Sequence, residues 1–522
     1  MEEEFAMDDT APLLQSASDF AYYPGNQNDA VAKEFLDRFP LPVIISALQT
    51  KSDVAGLEKT LVDCLEKLFK TKYGASLIPQ YMGFVQLGLT ADSQAVRCLA
   101  CKTVSCLLEN VADKTISPAQ LIVDHGIYPL LLDCLINGNE QVATASLESI
   151  QEFASFPEAM EAIFPENDSD LRNLSARCSS LARVRVCSLI VKLFSASASM
   201  AAAVYNSELL SLLEAEVSNK DDTLVTSSIL ELFYELAEVE HGTVLLGGTP
   251  IIQVLSSIIS DTSVDRILRS RAMMITGRVL SKENFYAVTD ESSVKPLISD
   301  IDRLLESEIQ DSDECECALE ALGKIGSSTT GATLLLSMLP PAARHVIYAA
   351  FDRQARGKQL AALAALGDIS GQSRSENDII LNDEAEENLR RLIYETASKS
   401  SKLTPSGLFL SILQQDSEVR LAAYRVITGL VRRSWCLMEI CSKQEIVNIV
   451  TDPNKETVKR GMDARYDCCK AIHKAFMASG KLSSNPALTG IASMLQEAVS
   501  RGAYFTGQHR VAQPTVKTAE RF

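Results

Sequence analysis

The sequence has little of the side-chain chemistry from which active sites and metal sites are usually built. Only five of its 522 residues are histidine, and no two of them stand at the spacing of a metal-ligating pair. The patterns G-x-x-x-x-G-K-S/T, H-E-x-x-H and G-x-S-x-G are absent, and no G-x-G-x-x-G follows a predicted strand. We therefore expect a protein that is not an enzyme, with no catalytic residue, no cofactor and no small-molecule substrate.

Long hydrophobic runs and an excess of positive charge are also missing. A transmembrane helix needs about 20 consecutive apolar residues; the sequence contains no such run, and we expect no membrane partner. Its 68 acidic residues outnumber its 49 basic residues, which makes the formal net charge −19. This balance argues against nucleic acid as a partner, because binding to a phosphate backbone requires clustered Lys and Arg. The same balance favours partner proteins that carry basic patches.

The N-terminus and the cysteines indicate the compartment. The first residues, M-E-E-E-F-A-M-D-D, are acidic and lack the charged and then apolar pattern of a secretory signal. Thirteen cysteines are present, and most of them fall on the apolar faces of predicted helices, where free cysteine is a common small core residue. We therefore expect a reducing compartment, the cytoplasm, with the nucleus as a second location.

A run of cysteines in the first quarter of the chain has a spacing that suggests zinc. Cys98, Cys101 and Cys106 form C-x-x-C-x-x-x-x-C. A structural zinc site takes four tetrahedral ligands, usually from two separated pairs. All three of these cysteines lie on one predicted helix, and no second pair is near them in sequence. We interpret them as core residues and expect no metal site.

One amphipathic helix pattern recurs along the chain, and residues 416–430 represent it. The apolar side chains of this stretch fall at offsets 0, 4, 7, 8 and 11, which is one stripe of an α-helix; they are Val419, Ala423, Val426, Ile427 and Leu430. Asp416 precedes the stripe and is a predicted N-cap, because a short carboxylate can accept from the free N–H groups of the first turn.

The same template recurs with its first residue at Leu57, Val96, Val142, Val184, Val225, Leu268, Cys315, Lys358, Val419 and Ala464. The steps between these positions are 39, 46, 42, 41, 43, 47, 43, 61 and 45 residues. Armadillo and HEAT arrays have a period of roughly 40–47 residues. The spacing therefore predicts an all-α, armadillo/HEAT-like superhelical solenoid of about ten helical-hairpin repeats, which grows without splitting into separate domains.

Composition divides the chain into three parts. Residues 1–30 are acidic and polar and contain a helix-breaking Y-Y-P-G, so we predict a disordered N-terminal extension. Residues 31–500 form the predicted solenoid, and residues 501–522 form a C-terminal tail. The 61-residue step contains an acidic insertion, residues 371–388. We interpret it as a long surface loop, or a short helix flanked by loop, and expect it to be the most mobile part of the array.

Several arginines are candidates for contact with a partner. Four of them directly follow the first stripe residue of their helices: Arg97, Arg185, Arg269 and Arg420. One interpretation is a ladder of hydrogen bonds between stacked repeats. The other is a basic stripe that binds an acidic peptide or domain, and these four are the predicted partner-binding residues. We interpret Arg432 and Arg433 as surface charges near a helix end, where the helix dipole favours them.

Several segments, in their order along the chain, resemble one known family. They are I-V-D-H-G-I-Y-P-L-L-L-D-C-L at 122–135, R-V-R-V-C-S-L-I at 183–190, L-A-E-V-E-H-G at 236–242, A-L-E-A-L-G-K-I-G-S at 318–327, D-A-R-Y-D-C-C-K-A at 463–471 and G-A-Y-F at 502–505. From about residue 40 to residue 506 the chain resembles the family of 26S proteasome non-ATPase regulatory subunit 5. The acidic extension and the insertion 371–388 are not expected of that family.

The resemblance implies a fold and a function. Members of the family are all-helical solenoids that act as chaperones for assembly of the base of the proteasome regulatory particle. They bind the C-terminal helical domain of proteasomal ATPase subunits and leave before the holoenzyme is mature. Their action is steric, so the resemblance implies no ATP, no metal and no catalytic residue.

A general armadillo/HEAT adaptor or scaffold for a different protein partner is the alternative, because fold alone does not determine a partner. The single tryptophan, Trp435, argues against a nuclear-import adaptor, which would show a ladder of Trp and Asn along its groove. A third option is a helical-repeat subunit of an enzyme whose catalytic partner is another chain.

Overall fold

A computed structural model of the protein describes residues 10–25, 28–50, 54–110, 117–165, 171–172, 178–218, 222–307, 312–480 and 488–504. Regular secondary structure within these ranges is helical, with no strand. The chain divides into two compact units, Met1–Thr249 and Pro250–Phe522, and each unit is described by itself.

The first unit is a succession of short and long helices. Its α-helices are α1 (Ala11–Ala21), α2 (Asp29–Arg38), α3 (Leu41–Thr50), α4 (Leu57–Phe69), α5 (Lys72–Leu77), α6 (Met82–Leu89), α7 (Gln94–Glu109), α8 (Pro118–Asp124), α9 (Ile127–Asn137), α10 (Glu140–Phe153), α11 (Ala159–Ile163), α12 (Ser180–Ala196), α13 (Ala198–Asn206), α14 (Leu210–Ser218), α15 (Thr223–Leu236) and α16 (Thr243–Gly247). Short 3₁₀ helices lie at Ile78–Tyr81 and Glu240–Gly242. Helices α4, α7, α10, α12 and α15 pack against one another in that order, and α6 packs on α9 in a second layer.

The second unit repeats this arrangement. Its α-helices are α17 (Ile251–Ser260), α18 (Arg266–Leu280), α19 (Glu291–Glu306), α20 (Ser312–Ile325), α21 (Thr329–Ser337), α22 (Ala343–Phe351), α23 (Arg356–Ile369), α24 (Asp383–Lys399), α25 (Pro405–Leu413), α26 (Ser417–Leu430), α27 (Ser434–Ser442), α28 (Gln444–Thr451), α29 (Lys459–Ala478) and α30 (Thr489–Arg501), with a 3₁₀ helix at Glu283–Ala287. Helices α18, α20, α23, α26 and α29 stack in that order. The other layer pairs α17 with α19, α21 with α24 and α25 with α28.

The predicted repeat corresponds to these two stacks. The ten template helices are α4, α7, α10, α12 and α15 in the first unit and α18, α20, α23, α26 and α29 in the second. Each of these helices packs its stripe into the core between neighbouring helices. The apolar positions recur along the sequence because every repeat buries the same face. The predicted all-α solenoid is confirmed within each unit.

Helix α26 shows how closely the local pattern determines the local structure. The side chain of Asp416 accepts hydrogen bonds from the backbone N–H groups of Glu418 and Val419, at 3.0 and 3.3 Å, and caps the helix as predicted. Its five stripe residues are all buried: Val419, Ala423, Val426, Ile427 and Leu430.

Two glycines allow the template helices of the second unit to approach closely. A Cβ atom on Gly277 of α18 would lie 2.9 Å from the Cα of Ala321 in α20. A Cβ on Gly323 of α20 would lie 2.5 Å from the Cα of Ala365 in α23. Because both obstacles are backbone atoms, a side chain at either glycine would force the helices apart.

The predicted disorder of residues 1–30 is wrong for the part of this segment that the structure describes. Leu13, Ala17 and Phe20 are buried on one face of α1, and α1 packs against α4. Tyr22 follows α1, and its hydroxyl donates a 2.7 Å hydrogen bond to Asp63 of α4. The polar composition concealed a short amphipathic stripe, and the Tyr-Tyr-Pro-Gly turn ends this helix instead of preventing it. Residues 1–9 and 26–27 of the predicted extension lie outside the described residues.

The insertion 371–388 is neither of the two forms that we predicted. Turns and bends occupy 371–380, and Asn382 then caps α24 by accepting from the N–H of Ala385 at 2.9 Å. The acidic residues of its second half are the first turn of a helix of 17 residues, where the positive end of the helix dipole favours them. The turns themselves are bonded to the array through Arg374, whose Nη2 donates to the carbonyl oxygens of Gly326 and Asp368 at 3.3 Å.

The interpretation of Arg433 as a surface charge is also wrong. Only 2% of its side chain is exposed. Its guanidinium donates to both carboxylate oxygens of Glu386 at 2.7 and 2.9 Å, and to the carbonyl oxygens of Ser370, Gly429 and Ile379 at 3.0, 3.0 and 3.2 Å. Arg433 therefore holds the turns of the insertion against α24 and α26. Arg432, in contrast, keeps 28% of its side chain exposed.

The last described helix, α30, ends at Arg501, and the division of the chain into a solenoid and a tail at this point stays a prediction. Residues 502–504 continue from it, and the hydroxyl of Tyr504 donates a 2.6 Å hydrogen bond to Asp463; residues 505–522 of the tail lie outside the described residues. No single helix in the described ranges is both long and apolar enough to cross a membrane, although two bent pairs of consecutive helices meet the same test of length and composition.

Candidate functional site

The two predicted partner-binding arginines of the first unit are hydrogen-bonded within the array. Arg97, in α7, donates from Nε to the carbonyl oxygen of Leu89 at 3.1 Å and from Nη2 to Asp133 at 2.5 Å. Leu89 ends α6 and Asp133 belongs to α9. Arg97 therefore links the first helices of two consecutive repeats.

Arg185 closes the end of a helix in the preceding repeat. Its Nη1 donates to the carbonyl oxygens of Leu135, Ile136 and Gly138 at 3.1, 3.3 and 2.8 Å. These residues lie at the C-terminal end of α9, where carbonyl groups lack partners inside the helix and the dipole favours a cation. Arg185, which belongs to the next repeat, therefore caps the C-terminal end of α9.

The two arginines of the second unit form mostly buried ion pairs with the following repeat. Arg269 donates from Nε to Glu314 at 2.8 Å, and Arg420 pairs with Glu456, from Nη2 at 3.2 Å and from Nε. The hydroxyl of Tyr424 donates to the same carboxylate of Glu456 at 3.0 Å. This carboxylate raises the pKa of Arg420, chiefly through their hydrogen bond, and burial raises the pKa of Tyr424.

These contacts describe a ladder between repeats. Each of the four guanidinium groups already has acceptors within its own unit, and the three whose side chains are in ion pairs, Arg97, Arg269 and Arg420, are mostly buried. A partner would have to displace those acceptors to reach the charge. The partner-binding role of the four arginines stays a prediction, and the exposed candidate surfaces lie elsewhere.

The cysteine run at 98–106 contributes to the core of the first unit. Cys101 and Cys106 are buried, Cys98 is half-buried, and all thirteen cysteines are free thiols. Cys134 of α9 lies beside Cys101, and its thiol donates to the carbonyl oxygen of Leu89 at 3.3 Å. A hydrogen bond from Cys101, opposed by burial and assisted by the nearby Arg97, lowers the pKa of Cys134 to about 7.

Among the described residues, one group has the composition of a metal site: Asp302, Glu306 and His345. Arg344 already binds both of its carboxylates, with Nη1 and Nη2 at 2.7 and 3.0 Å from Asp302 and Nη2 at 2.5 Å from Glu306. His345 Nε2 lies 3.2 Å from Asp302. Burial raises the pKa of Asp302, but His345 and Arg344 outweigh it and hold that pKa below its usual value. The arrangement is an ion-pair cluster that joins α19 to α22.

An apolar cavity in the first unit is the clearest candidate for contact with another protein. Its volume is about 490 Å³, and residues of α3, α4, α6 and α7 line it; we call it the α3–α7 pocket. Two large apolar side chains of α6 stand at its edge in contact with solvent, Phe84 and Leu87, with Leu87 58% exposed. Tyr81 stacks on Phe84 with their ring centroids 5.9 Å apart.

The charge of the α3–α7 pocket is negative. Among the described residues, its lining includes the carboxylates of Glu58 and Asp92 and no Lys or Arg, and Glu58 accepts a 2.6 Å hydrogen bond from the hydroxyl of Ser93. A surface of this kind suits an apolar side chain that is flanked by positive charge.

Sequence reasoning missed the α3–α7 pocket, although a signal was present. Met82, Val85 and Leu89 are the buried face of α6, while Phe84 and Leu87 are apolar residues on its other faces. A helix that is apolar on all sides either lies inside a core or keeps an apolar face for a partner.

Comparison with known proteins places the chain in a family. The family model described as "Proteasome non-ATPase 26S subunit" matches residues 46–520. The chain belongs to this family. Among curated members, 26S proteasome non-ATPase regulatory subunit 5 of Bos taurus is 23% identical over 418 residues, 79% of each chain. The protein of the same name from Homo sapiens is 23% identical over 424 residues, 80% of each chain.

The same name describes the relative from Mus musculus, which is 22% identical over 419 residues, 79% of each chain. A crystal structure of an engineered protein superimposes with a TM-score of 0.44 at 15% identity and covers 82% of this chain and 98% of its own, a likeness too low to bear on function. The relatives of this proteasome-family chain are thus named as non-ATPase regulatory subunits of the 26S proteasome, which confirms the predicted resemblance.

Proposed function

We propose that the protein is a non-catalytic chaperone for assembly of the base of the 26S proteasome regulatory particle. In this proposal it binds the C-terminal helical domain of proteasomal ATPase subunits and leaves before the holoenzyme is mature. The observation that carries the proposal is the family match over residues 46–520, nearly the whole array.

The contacts inside the array support a binding role for its surface. The charged side chains considered as candidates form contacts inside the array: Arg97, Arg185, Arg269 and Arg420 in the ladder, and Asp302 with Arg344 in an ion-pair cluster. A solenoid built in this way acts by occupying a partner's surface. We propose no cofactor, metal or small-molecule substrate for it.

The α3–α7 pocket is the surface that we expect to contact the ATPase domain. A helix of the partner can insert an apolar side chain between α3 and α6, while its Lys or Arg residues approach Glu58 and Asp92. Leu87 stands at the edge with 58% of its surface exposed, so replacing it with arginine would introduce charge where an apolar contact is expected, without disturbing the core.

The test is a pull-down of the separately purified C-terminal domains of all proteasomal ATPases by the immobilised full-length chain. We expect one or two domains to be retained selectively, and more strongly at low than at moderate salt, because charge complementarity is screened by ions. Leu87→Arg should weaken that retention by about tenfold, the effect of losing one apolar contact worth about 1.4 kcal/mol.

The matched control is Leu224→Arg. Leu224 is also a leucine of the first unit, is 80% exposed and lies in α15, outside the pocket. Retention of the ATPase domain by this variant should equal that of the wild type. Failure of the folded wild-type chain to retain any ATPase domain would refute the proposed function, whereas equal retention by Leu87→Arg would refute only the assignment of the pocket.

The alternative remains an armadillo/HEAT adaptor or scaffold for a different protein partner, and the same pull-down separates the two. We propose a cytoplasmic location, with the nucleus as the second compartment. In either compartment the chain would have access to proteasome components. Cell fractionation of the tagged chain tests this location.

A further inference from the structure

A second cavity lies in the second unit, between the turns at 371–380 and helices α26, α27 and α29. Its volume is about 840 Å³, within the range of specific ligand sites. One wall consists of the insertion that makes this repeat 61 residues long, where the other steps are 39 to 47 residues. We call this cavity the insertion pocket.

The wall of the insertion pocket is anchored at both of its ends. Near its start, Arg374 donates to the carbonyl oxygen of Asp368 at 3.3 Å. Near its end, Arg433 donates to the carbonyl oxygen of Ile379 at 3.2 Å. Glu376 lies between these anchors, with 64% of its side chain exposed. The pocket is therefore preformed, while the side chain of Glu376 is free to leave it.

Positive charge is concentrated in this pocket, although the chain as a whole has a net charge of −19. In the described part of the chain, its lining contains four cations and two carboxylates: Arg374, Arg432, Lys470, Lys474, Glu376 and Asp467. Lys470 is exposed and forms no ion pair with any residue in the described parts of the chain. At least one positive charge in the lining is thus available to a ligand.

A carboxylate of the protein itself marks the binding position. Arg432 lies 3.0 Å from Oε1 of Glu376 and also donates to its carbonyl oxygen at 2.7 Å. Lys474 forms an ion pair with the same Oε1. Two cations, one from α29 and one from the turn between α26 and α27, thus converge on one carboxylate oxygen. Ion pairs between side chains as exposed as Glu376 and Lys474 are weak, so another carboxylate can replace that of Glu376.

The cations border an apolar surface. Ile380 lines the pocket and is 48% exposed, and α29 contributes the methyl groups of Ala471, Ala475 and Ala478. These groups lie on the same side of α29 as Lys470 and Lys474. A ligand would meet positive charge and an apolar patch together.

We propose that the insertion pocket binds a short segment of a partner protein in which a carboxylate side chain stands next to an apolar one. The carboxylate takes the place of Glu376 between Arg432 and Lys474, with Lys470 beside it, and the apolar side chain rests on Ile380 and the alanines of α29. This inference concerns the second unit alone and does not depend on the binding of an ATPase domain.

The residues of the pocket favour a carboxylate over a phosphate or a polyanion. The group already held by Arg432 and Lys474 is a carboxylate, and the opposing charge of Asp467 in the lining disfavours a run of negative charges. Nucleic acid would need a longer row of cations than this pocket contains.

The test uses a fluorescein-labelled hexapeptide, Leu-Glu-Leu-Glu-Leu-Glu, titrated with the full-length chain and followed by fluorescence anisotropy. Two further peptides replace every Glu with Gln or with phosphoserine. We expect the Glu peptide to bind more tightly than both, and its affinity to fall with salt.

The deciding variant is Glu376→Gln, which removes the competing carboxylate and leaves Arg432 and Lys474 unpaired. It should tighten binding of the Glu peptide by about fivefold, the range of one exposed ion pair. A gain in affinity cannot result from loss of folding. Lys470→Glu and Lys474→Glu should each weaken binding by about tenfold, because each replaces an attraction with a repulsion.

The matched control is Lys402→Glu, an equal change of charge at an exposed lysine of the same unit that does not line the pocket. It should leave the affinity unchanged. Absence of peptide binding by both the wild type and Glu376→Gln would overturn the proposal. So would unchanged affinity in Glu376→Gln, an effect of Lys402→Glu as large as those of the two pocket lysines, or equal or tighter binding of the Gln or phosphoserine peptide.

Discussion

Two adjacent arginines of the second unit should differ sharply in their contribution to stability. Arg433 has 2% of its side chain exposed and Arg432 has 28%. Replacing Arg433 with methionine keeps much of the apolar stem but removes the guanidinium from the carboxylate of Glu386, whose side chain is only 17% exposed. The carbonyl oxygens of Ser370, Gly429 and Ile379 lose a donor at the same time.

The size of the effect follows from burial. Breaking a buried ion pair by removing one partner costs about 3–5 kcal/mol, because the other charge is left buried without compensation. Melting temperatures of domains of this size fall by about 2–4 °C for each kcal/mol. Arg433→Met should therefore lower the melting temperature of the second unit by roughly 6–20 °C.

Arg432→Met is the matched control. The ion pair of Arg432 with Glu376 joins two side chains that are 28% and 64% exposed, and such a pair contributes at most about 1 kcal/mol. The expected decrease in melting temperature is below about 4 °C. Thermal unfolding of both full-length variants, followed by circular dichroism, measures the difference.

The double variant Arg433→Met with Glu386→Leu provides a second check on the reasoning. Once the unpaired carboxylate is removed, part of the lost stability should return, since an apolar pair can replace a buried ion pair. Equal melting temperatures for Arg432→Met and Arg433→Met, or no recovery in the double variant, would refute the explanation by buried charge.

Three further predictions concern other contacts of the second unit. Gly323→Ala should destabilise the unit by about 1–3 kcal/mol in urea unfolding, because the new Cβ would lie 2.5 Å from the Cα of Ala365. Arg269→Gln should cost about 3 kcal/mol in the same assay, since it removes a mostly buried ion pair with Glu314. Asp302 has a pKa below its usual 3.8 in the folded protein. The stability that its carboxylate contributes is therefore present above pH 3.8 and is lost as the pH falls towards the folded pKa. Asp302→Asn should make the loss of stability on acidification less steep.

Matched control variants distinguish these effects from a non-specific loss of stability. A Cβ on Gly83 meets no atom within 4 Å, so Gly83→Ala should leave stability unchanged or raise it slightly. The ion pairs of Arg356 with Asp416 and Glu418 are exposed, and Arg356→Gln should cost at most about 1 kcal/mol. Equal losses in Arg269→Gln and Arg356→Gln, or an unchanged acid limb in Asp302→Asn, would contradict the corresponding prediction.

Much of the repeat architecture could be predicted from the sequence. The stripe of α26 and its Asp416 cap were readable because both depend on residues a few positions apart. The same stripe located the other template helices, since a solenoid buries each repeat against its neighbours in the order of the chain. In this fold the short-range apolar pattern also predicts the packing, because neighbouring repeats in the sequence are neighbours in the structure.

The candidate sites were less accessible to sequence reasoning. Arg432 and Arg433 have the same charge and adjacent positions, and only the return of the insertion turns over α26 and α27 buries one of them. The insertion looked like a mobile acidic loop because the residues that hold it against the array are 47 to 98 positions away. Phe84 and Leu87 drew no prediction, because sequence does not tell which apolar face of a helix packs against a neighbour.

The sequence by itself determined the all-helical class, the repeat and the positions of the template helices, because these depend on interactions between residues close in the chain. The resemblance in the order of its motifs indicated the family, which the match over residues 46–520 establishes. Only the tertiary structure decided which charges are buried in the ladder and which remain exposed. Burial depends on segments that are distant in sequence, and burial determines whether an arginine stabilises the array or is available to a partner.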